Sequence, residues 1–216
     1  MTLIIVPFVD NAKVTIECLK SVHDTKTESD TVVAIANGSK DGTYEKIFDR
    51  FDNGDDFSVI RRKEHKWVGD IWNRSFRLLD DNERICFLHN DTIVNDDWLT
   101  ELELGLDVTG CGCILPRQGN GTRARFAVVD DIRHLNGFCF MLSQTAIGKI
   151  GKFDQQFILK PDIDYFQRVL DNGMMIVVAN KSNVEHVGGV TTGKQYSLSY
   201  YTKQVGKELN LIRDLR

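Results

Sequence analysis

Three short clusters carry residue types from which a metal and acid–base site is built. The first is His89-Asn90-Asp91, delivered by the apolar run RICFL at 84–88. A carboxylate at the end of a buried strand can ligate a hard divalent cation such as Mg2+ or Mn2+. Such ions take one or two carboxylates together with phosphate oxygens and waters. The same residues can equally just turn the chain, because Asn and Asp are common after strands. The second cluster is His186 in VEHVGGVTTG, either a structural strand-end histidine or a ligand. The glycines after it let backbone N–H groups approach an anion, which Thr191, Thr192 and Lys194 could also serve. The third is Pro161-Asp162-Ile163-Asp164 at a helix start. The helix dipole favours acidic residues there, which accounts for one of the two. Residues at i and i+2 do not share a helix face. One carboxylate can therefore point into a cleft while Asp164 pairs with Arg168, four positions on. Asp162 is then free to act as a general base.

Two further clusters are candidate ligands for a polar substrate: Asp10-Asn11 and Asn37-Gly38-Ser39-Lys40-Asp41. Asp10-Asn11 can also cap the following helix, and Asp41-Gly42 reads as a turn before another. Asn37, at the strand end itself, is the better ligand candidate. The run Arg61, Arg62, Lys63 and Lys66 reads as a solvated face. Arg117, Arg123, Arg125 and Arg133 stand in an irregular segment that could meet an anionic acceptor, such as a phosphate-bearing glycan or a nucleic acid.

The elements that must position these residues alternate. TLIIVPF, TVVAIA, FSVI and RICFLH read as strands, the longer ones apolar throughout, as expected of strands buried on both faces. Between them AKVTIECLKSVHD, TYEKIFDRF and VGDIWNRSFRLL read as helices, the first with Val14, Cys18, Leu19 and Val22 on one face. This alternation predicts parallel α/β architecture. The second half is less regular. CGCILP, LNGFCFML, MMIVVA and NVEHV read as strands, PDIDYFQRVLDNG as a helix with Pro161 in its first turn and Gly173 past its end, and SLSYYTKQVGKELNLIRDL as a last helix. RQGNGTRARFAVVDDIR is read as irregular. In open α/β sheets ligands sit beyond the carboxyl ends of the strands, where Asp10-Asn11, Asn37–Asp41 and His89–Asp91 all fall.

The 216 residues suit one domain, and 42% apolar content supplies a core. A net charge of −4 argues against a bulk electrostatic grip on nucleic acid. No apolar run approaches the roughly 20 residues that span a bilayer, and the first residues read as a strand, not a signal peptide. Five cysteines without a CxxC pair read as buried reduced thiols of a cytoplasmic protein.

Taken in order, IIVPFVDN, VVAIANGSKDGT, the Asn of DIWNRS, CFLHNDTIVNDDWL, LNGFCFMLSQTAIGKIGKFDQQF, PDIDYFQR and VEHVGG resemble the GT-A glycosyltransferases of family 2, the inverting group that includes rhamnosyltransferase-like enzymes. These pieces run from Leu3 to about Gly189, and the ordered set is more specific than any one of them. The resemblance implies a Rossmann-like nucleotide-binding mixed sheet flanked by helices, with a small fused acceptor lobe. It implies a single domain over 1–216, with a nucleotide-sugar half at 1–105 and an acceptor and catalytic half at 106–216. It further implies metal-dependent, inverting transfer of a sugar from a nucleotide-diphosphate sugar to an acceptor hydroxyl. Asp162 is the implied base. Asp91, His186 and His89 are the implied Mn2+ or Mg2+ ligands. Pro7, Asp10, Asn37, Asn73, Asn90, Asp91, Thr192 and Lys194 are implied for the donor, and Gly137, Arg123, Arg125 and Asp164 for the acceptor. The chain departs from the family pattern at His89, where the first acidic residue of the metal motif stands. It also departs at Pro161, which replaces a Glu, and at Ala36, which replaces a strand-end Asp. The alternatives are a nucleotidyltransferase, which would release pyrophosphate, and a sugar-nucleotide-binding module, which would bind a donor without turnover.

Overall fold

The computed structural model describes residues 1–79, 84–187 and 198–214. The strands are β1 (Thr2–Phe8), β2 (Thr31–Asn37), β3 (Phe57–Arg62), β4 (Arg84–Leu88), β5 (Thr92–Val94), β6 (Cys113–Pro116), β7 (Phe126–Val128), β8 (Cys139–Leu142), β9 (Ile176–Ala179) and β10 (Val184–His186). The helices are α1 (Ala12–Thr25), α2 (Thr43–Phe51), α3 (Val68–Ser75), α4 (Trp98–Thr109), α5 (Gln144–Ile150), α6 (Pro161–Asp171) and α7 (Leu198–Asp214).

Continuous apolar runs become two-faced strands because successive side chains point to opposite sides. From β1, Ile4, Val6 and Phe8 enter the core packed with α1, α2 and α4. Leu3 and Ile5 enter the other, packed with α3, α6 and Ile212 of α7. β4 divides likewise, Cys86 and Leu88 to the first side and Ile85 and Phe87 to the second. Burial on both faces is why these runs lack polar alternation.

Eight strands form one mixed sheet in the order β3-β2-β1-β4-β8-β6-β9-β7. The first four are parallel, as the alternating pattern predicts. Then β8 runs antiparallel to both β4 and β6, and β7 runs antiparallel to β9. The strand β7 lies inside the segment read as irregular. Its exposed edge position and three-residue length leave too little apolar pattern to mark it. The chain crosses from β3 past β2 and β1 to reach β4, so the strand order reverses beside β1. Crevices at such reversals are where ligands bind in open α/β sheets. A separate antiparallel pair, β5 with β10, sets His186 opposite Thr92.

All five cysteines are free and buried. Among the described residues, no helix is long and apolar enough to cross a membrane. The basic run on β3 is a paired surface: Arg61 with Glu45, Arg62 with Asp70 and Lys66 with Glu64.

Asn73 is buried on α3. Its amide donates to the carbonyl of Phe153 at 2.9 Å and accepts from the same residue's N–H at 2.7 Å. Phe153 in turn packs its ring on Trp72, Phe76, Phe87 and Tyr165. Both ends of the Asn73 amide are thus used by the Phe153 backbone, which gives this residue a structural role. Asn73→Ala leaves two buried backbone groups unpaired and lowers stability by about 2–4 kcal/mol. Urea unfolding at unchanged slope measures this, and a loss within experimental scatter contradicts it.

Candidate functional site

The carboxyl end of β4 turns at His89–Asp91 and is held from three directions. The His89 N–H donates to Phe138 O at 2.8 Å, extending the β4–β8 pairing by one bond. The His89 carbonyl accepts from Thr92 Oγ at 2.7 Å and from Cys18 Sγ on α1 at 3.5 Å. Asn90 turns inward, and its amide donates to Thr15 Oγ on α1 at 2.9 Å. Asn90 therefore ties the β4 end to the helix after β1 through its Nδ2. Thr15 is the hidden partner; it takes the buried helix position beside half-buried Val14.

Asp91 is left as the buried carboxylate between two imidazoles. His186 Nε2 lies 3.2 Å from Asp91 Oδ1, and His89 Nδ1 lies 4.0 Å from the same oxygen. One ligand atom from each of the three residues lies within 4.8 Å of the others. Rings fix the imidazoles: Phe138 stacks on His186 at 4.9 Å, and Trp72 stacks on His89 at 6.4 Å. The backbone closes the arrangement, with Val187 N–H donating to Asp91 O at 3.0 Å. Burial works to raise the Asp91 carboxyl, but the His186 hydrogen bond and the nearby His89 outweigh it and hold the group below its usual range. Burial pushes the His89 imidazole down, against the pull of Asp91. A neutral imidazole beside an ionised carboxylate is the protonation state that metal ligation needs.

Asp162 lies at the first turn of α6, with Pro161 at N1 and no side-chain cap on Lys160. Its Oδ2 accepts from the Gly137 N–H at 3.1 Å, and its charge is felt by His89. Gly137 is tight against it: a Cβ there would lie 2.6 Å from Asp162 Cβ. Asp164 faces elsewhere and receives two bonds from Arg168, at 2.7 and 3.0 Å, as the i and i+2 argument expects. Burial still raises the Asp164 carboxyl, with Arg168 opposing.

Asp10 and Asn11 do not cap α1 through their side chains. Both sit at positive φ, 47° and 65°. Asp10 Oδ1 instead accepts from the amides of Lys40 and Asp41, at 2.8 and 3.4 Å, and its own N–H donates to Ser39 Oγ. The β1 and β2 ends are thereby stitched into one rim. Asn37 is clamped to the loop after β3: it donates to Lys66 O at 2.7 Å and accepts from Lys66 N–H at 2.9 Å. Asn11 Nδ2 is buried without a partner among the described residues, a donor that the sequence signals only as a cap. Pro7 is half-buried within β1, three residues before Asp10 of this rim.

The arginine segment does not form one basic face. Arg125, read as an acceptor ligand, pairs through two nitrogens with Glu101, at 2.7 and 3.0 Å. Arg117 bonds Asn183, Arg133 bonds Asp131, and Arg123 is exposed. The readings on Thr191, Thr192 and Lys194 lie outside the described residues.

The structure therefore gathers Asp91, His89, His186, Asp162 and Gly137 at the ends of β4, β10, α6 and β8. His89 binds fewer protons folded than unfolded, so stability rises with pH in the window below the free value of 6.5. Asp91 adds loss only below the ordinary carboxylate value of 3.8. In chelator, His89→Gln should lose less stability than wild type between about pH 7 and 5; identical slopes of urea midpoint against pH contradict this.

Comparison with known proteins agrees with this architecture. The family model described as glycosyl transferase family 2 matches residues 3–167. No curated protein sequence matches the chain. The Staphylococcus aureus protein TarS 1-349 in complex with UDP-GlcNAc superposes with a TM-score of 0.72 at 16% identity, covering 91% of this chain and 62% of that one. The mannosyltransferase PcManGT from Pyrobaculum calidifontis in complex with GDP-Man and Mn2+ superposes with a TM-score of 0.67 at 14% identity, covering 88% and 58%. At these identities the likeness is one of fold, and the chain spans about three fifths of either structure's length.

Proposed function

The chain belongs to glycosyl transferase family 2, and on that premise we propose that it transfers a sugar from a nucleotide-diphosphate sugar to an acceptor hydroxyl, with inversion at the anomeric carbon. The observation that carries the reading is the convergence of a buried carboxylate between two imidazoles with a second buried carboxylate, Asp162, at the same sheet end.

Asp162 is the general base. It takes the acceptor's hydroxyl proton as that oxygen forms its bond to the anomeric carbon, and the bond from that carbon to the diphosphate oxygen breaks with its electron pair leaving on the nucleoside diphosphate. The Gly137 N–H occupies one lone pair of Oδ2 and so fixes which oxygen faces the acceptor. Asp91, His89 and His186 fit a divalent cation: the atoms are close enough to share one ion, and the imidazoles have backing rings that hold them in place. Two nitrogens and one carboxylate suit Mn2+ better than Mg2+, which prefers oxygen alone. A cation bound there supplies charge neutralisation to the departing diphosphate. The rim built from Asp10, Asn11, Asn37 and the Ser39–Asp41 loop receives the nucleoside, and the buried Nδ2 of Asn11 offers it a donor. Residues 1–105 then form the donor half and 106–216 the acceptor and catalytic half. The acceptor is a glycan or other hydroxyl compound, with exposed Arg123 the remaining candidate for an anionic group on it.

Two variants test the assignment. Asp162→Asn lowers turnover by about 10²–10⁴-fold while donor affinity with Mn2+ holds; full turnover sinks the base role. Asp91→Ala removes the Mn2+-dependent thermal shift given by UDP-GlcNAc or GDP-Man, whichever stabilises wild type, since only a ligand of the native state raises apparent stability. An undiminished shift in that variant rejects the metal assignment.

A further inference from the structure

Glu208 lies on α7, beyond the end of the family match at residue 167. It is fully buried, yet it is a carboxylate. Its Oε1 accepts from the N–H groups of Ile158 at 3.2 Å and Leu159 at 3.4 Å. Its Oε2 accepts from Leu159 at 3.1 Å and Lys160 at 2.9 Å. Gln204, one helical turn earlier, adds a donor to Oε1 at 2.7 Å. Burying a carboxylate is costly unless its lone pairs are filled, and here they are. Three successive backbone N–H groups make the concavity that proteins use for anions. In this chain the anion comes from the chain itself.

The three residues so held are the ones that enter α6. Lys160 is its N-cap, at φ −129° and ψ 44°, with no side-chain cap bond. Pro161 fixes the next φ but has no N–H to anchor. Asp162 follows directly. Phe157, Pro161 and Ile163 pack into the core around this turn, and among the described residues the side chain that bonds its backbone amides is the carboxylate of Glu208, some fifty residues away. On the far side, the side-chain bond that locates Asp162 among the described residues is the one from the Gly137 N–H. The base carboxylate therefore hangs between two anchors, the Gly137 N–H and the Glu208-bound backbone.

We propose that Glu208 is a positioning residue, whose carboxylate holds the 158–160 backbone so that Asp162 meets the acceptor hydroxyl at the metal-binding end of β4. This rests on the reading of Asp162 as base, but the Gly137 amide reports the position of Asp162 without any turnover. A residue that merely anchored α7 would affect overall stability and leave that amide alone.

The test uses amide hydrogen exchange of the full chain by NMR, with nucleoside diphosphate release from UDP-GlcNAc or GDP-Man in Mn2+ as the second readout. Glu208→Gln is expected to speed exchange at Leu159, Lys160 and Gly137 by about tenfold or more, while amides of β1 to β3 keep wild-type rates. It is expected to lower kcat by about tenfold or more with donor KM within about twofold, the mark of a displaced group and not of lost donor binding. An unchanged Gly137 amide overturns the proposal whatever the activity. So does an equal fall in kcat and donor affinity accompanied by faster exchange throughout the sheet. If Gly137 responds but Glu208→Gln keeps the wild-type kcat on a donor that wild type turns over, the positioning stands and the reading of Asp162 as base fails. Should Glu208→Gln not fold, Gln204→Ala is read by the same amides with a smaller change, and wild-type Leu159 and Lys160 amides exchanging at the unprotected rate reject the proposal outright.

Discussion

The bond from His89 N–H to Phe138 O, 2.8 Å long, is the contact on which the site depends. It extends the antiparallel β4–β8 pairing one residue past the strands. Had β8 been parallel to β4, the residues before it would lie at the opposite end of the sheet. Because it is antiparallel, the chain entering β8 arrives where β4 leaves. Gly137 and Phe138 then stand beside His89 and Asp91, and each makes a second contact: Phe138 stacks on His186, and Gly137 holds Asp162. One strand reversal thus sets beside the end of β4 the two residues that contact His186 and Asp162.

The electrostatics follow from that packing. Asp91 is buried, and burial alone would favour its neutral form. The imidazoles of His186 and His89 reverse the balance. His89 stands where the resembling family has an acidic residue, and the substitution has a local logic. A second carboxylate beside Asp91 would add like-charge repulsion in a buried place. An imidazole that partial burial pushes toward its neutral form offers a ligand atom without that cost. The consequence is a cluster of two imidazole nitrogens and one carboxylate oxygen within 4.8 Å of one another.

Much of the first half was legible in the sequence. β1, β2 and β4 carry unbroken apolar runs, and α2 matches TYEKIFDRF residue for residue. Asp96 and Asp97 stand at the start of the helix carrying Trp98, leaving Asp91 as the separate carboxylate. The Asp164–Arg168 pair followed from helical spacing alone. What was not legible is tertiary. Nothing local to Asn90 or Asn73 tells that Thr15 and the Phe153 backbone will claim their amides. The Arg125–Glu101 pair joins residues 24 apart that no periodicity connects. Glu208 reads as one more acidic residue on an amphipathic helix until the loop it binds is seen. Asp10 and Asn11 look like caps by type, but their positive φ turns the Asp10 carboxylate to the β2 loop.

The central claim is that Asp162 activates the acceptor on the face of the sugar opposite the diphosphate. The anomeric configuration of the transferred sugar tests it most directly. It is read by proton NMR on the glycosylated product, or on free sugar in the first minutes of donor hydrolysis, before it re-equilibrates. An α-linked donor such as UDP-GlcNAc should yield a β-configured product from a single displacement. An α-configured product would contradict the account, because retention requires a different arrangement of nucleophile and leaving group from the one assigned to Asp162 and Asp91.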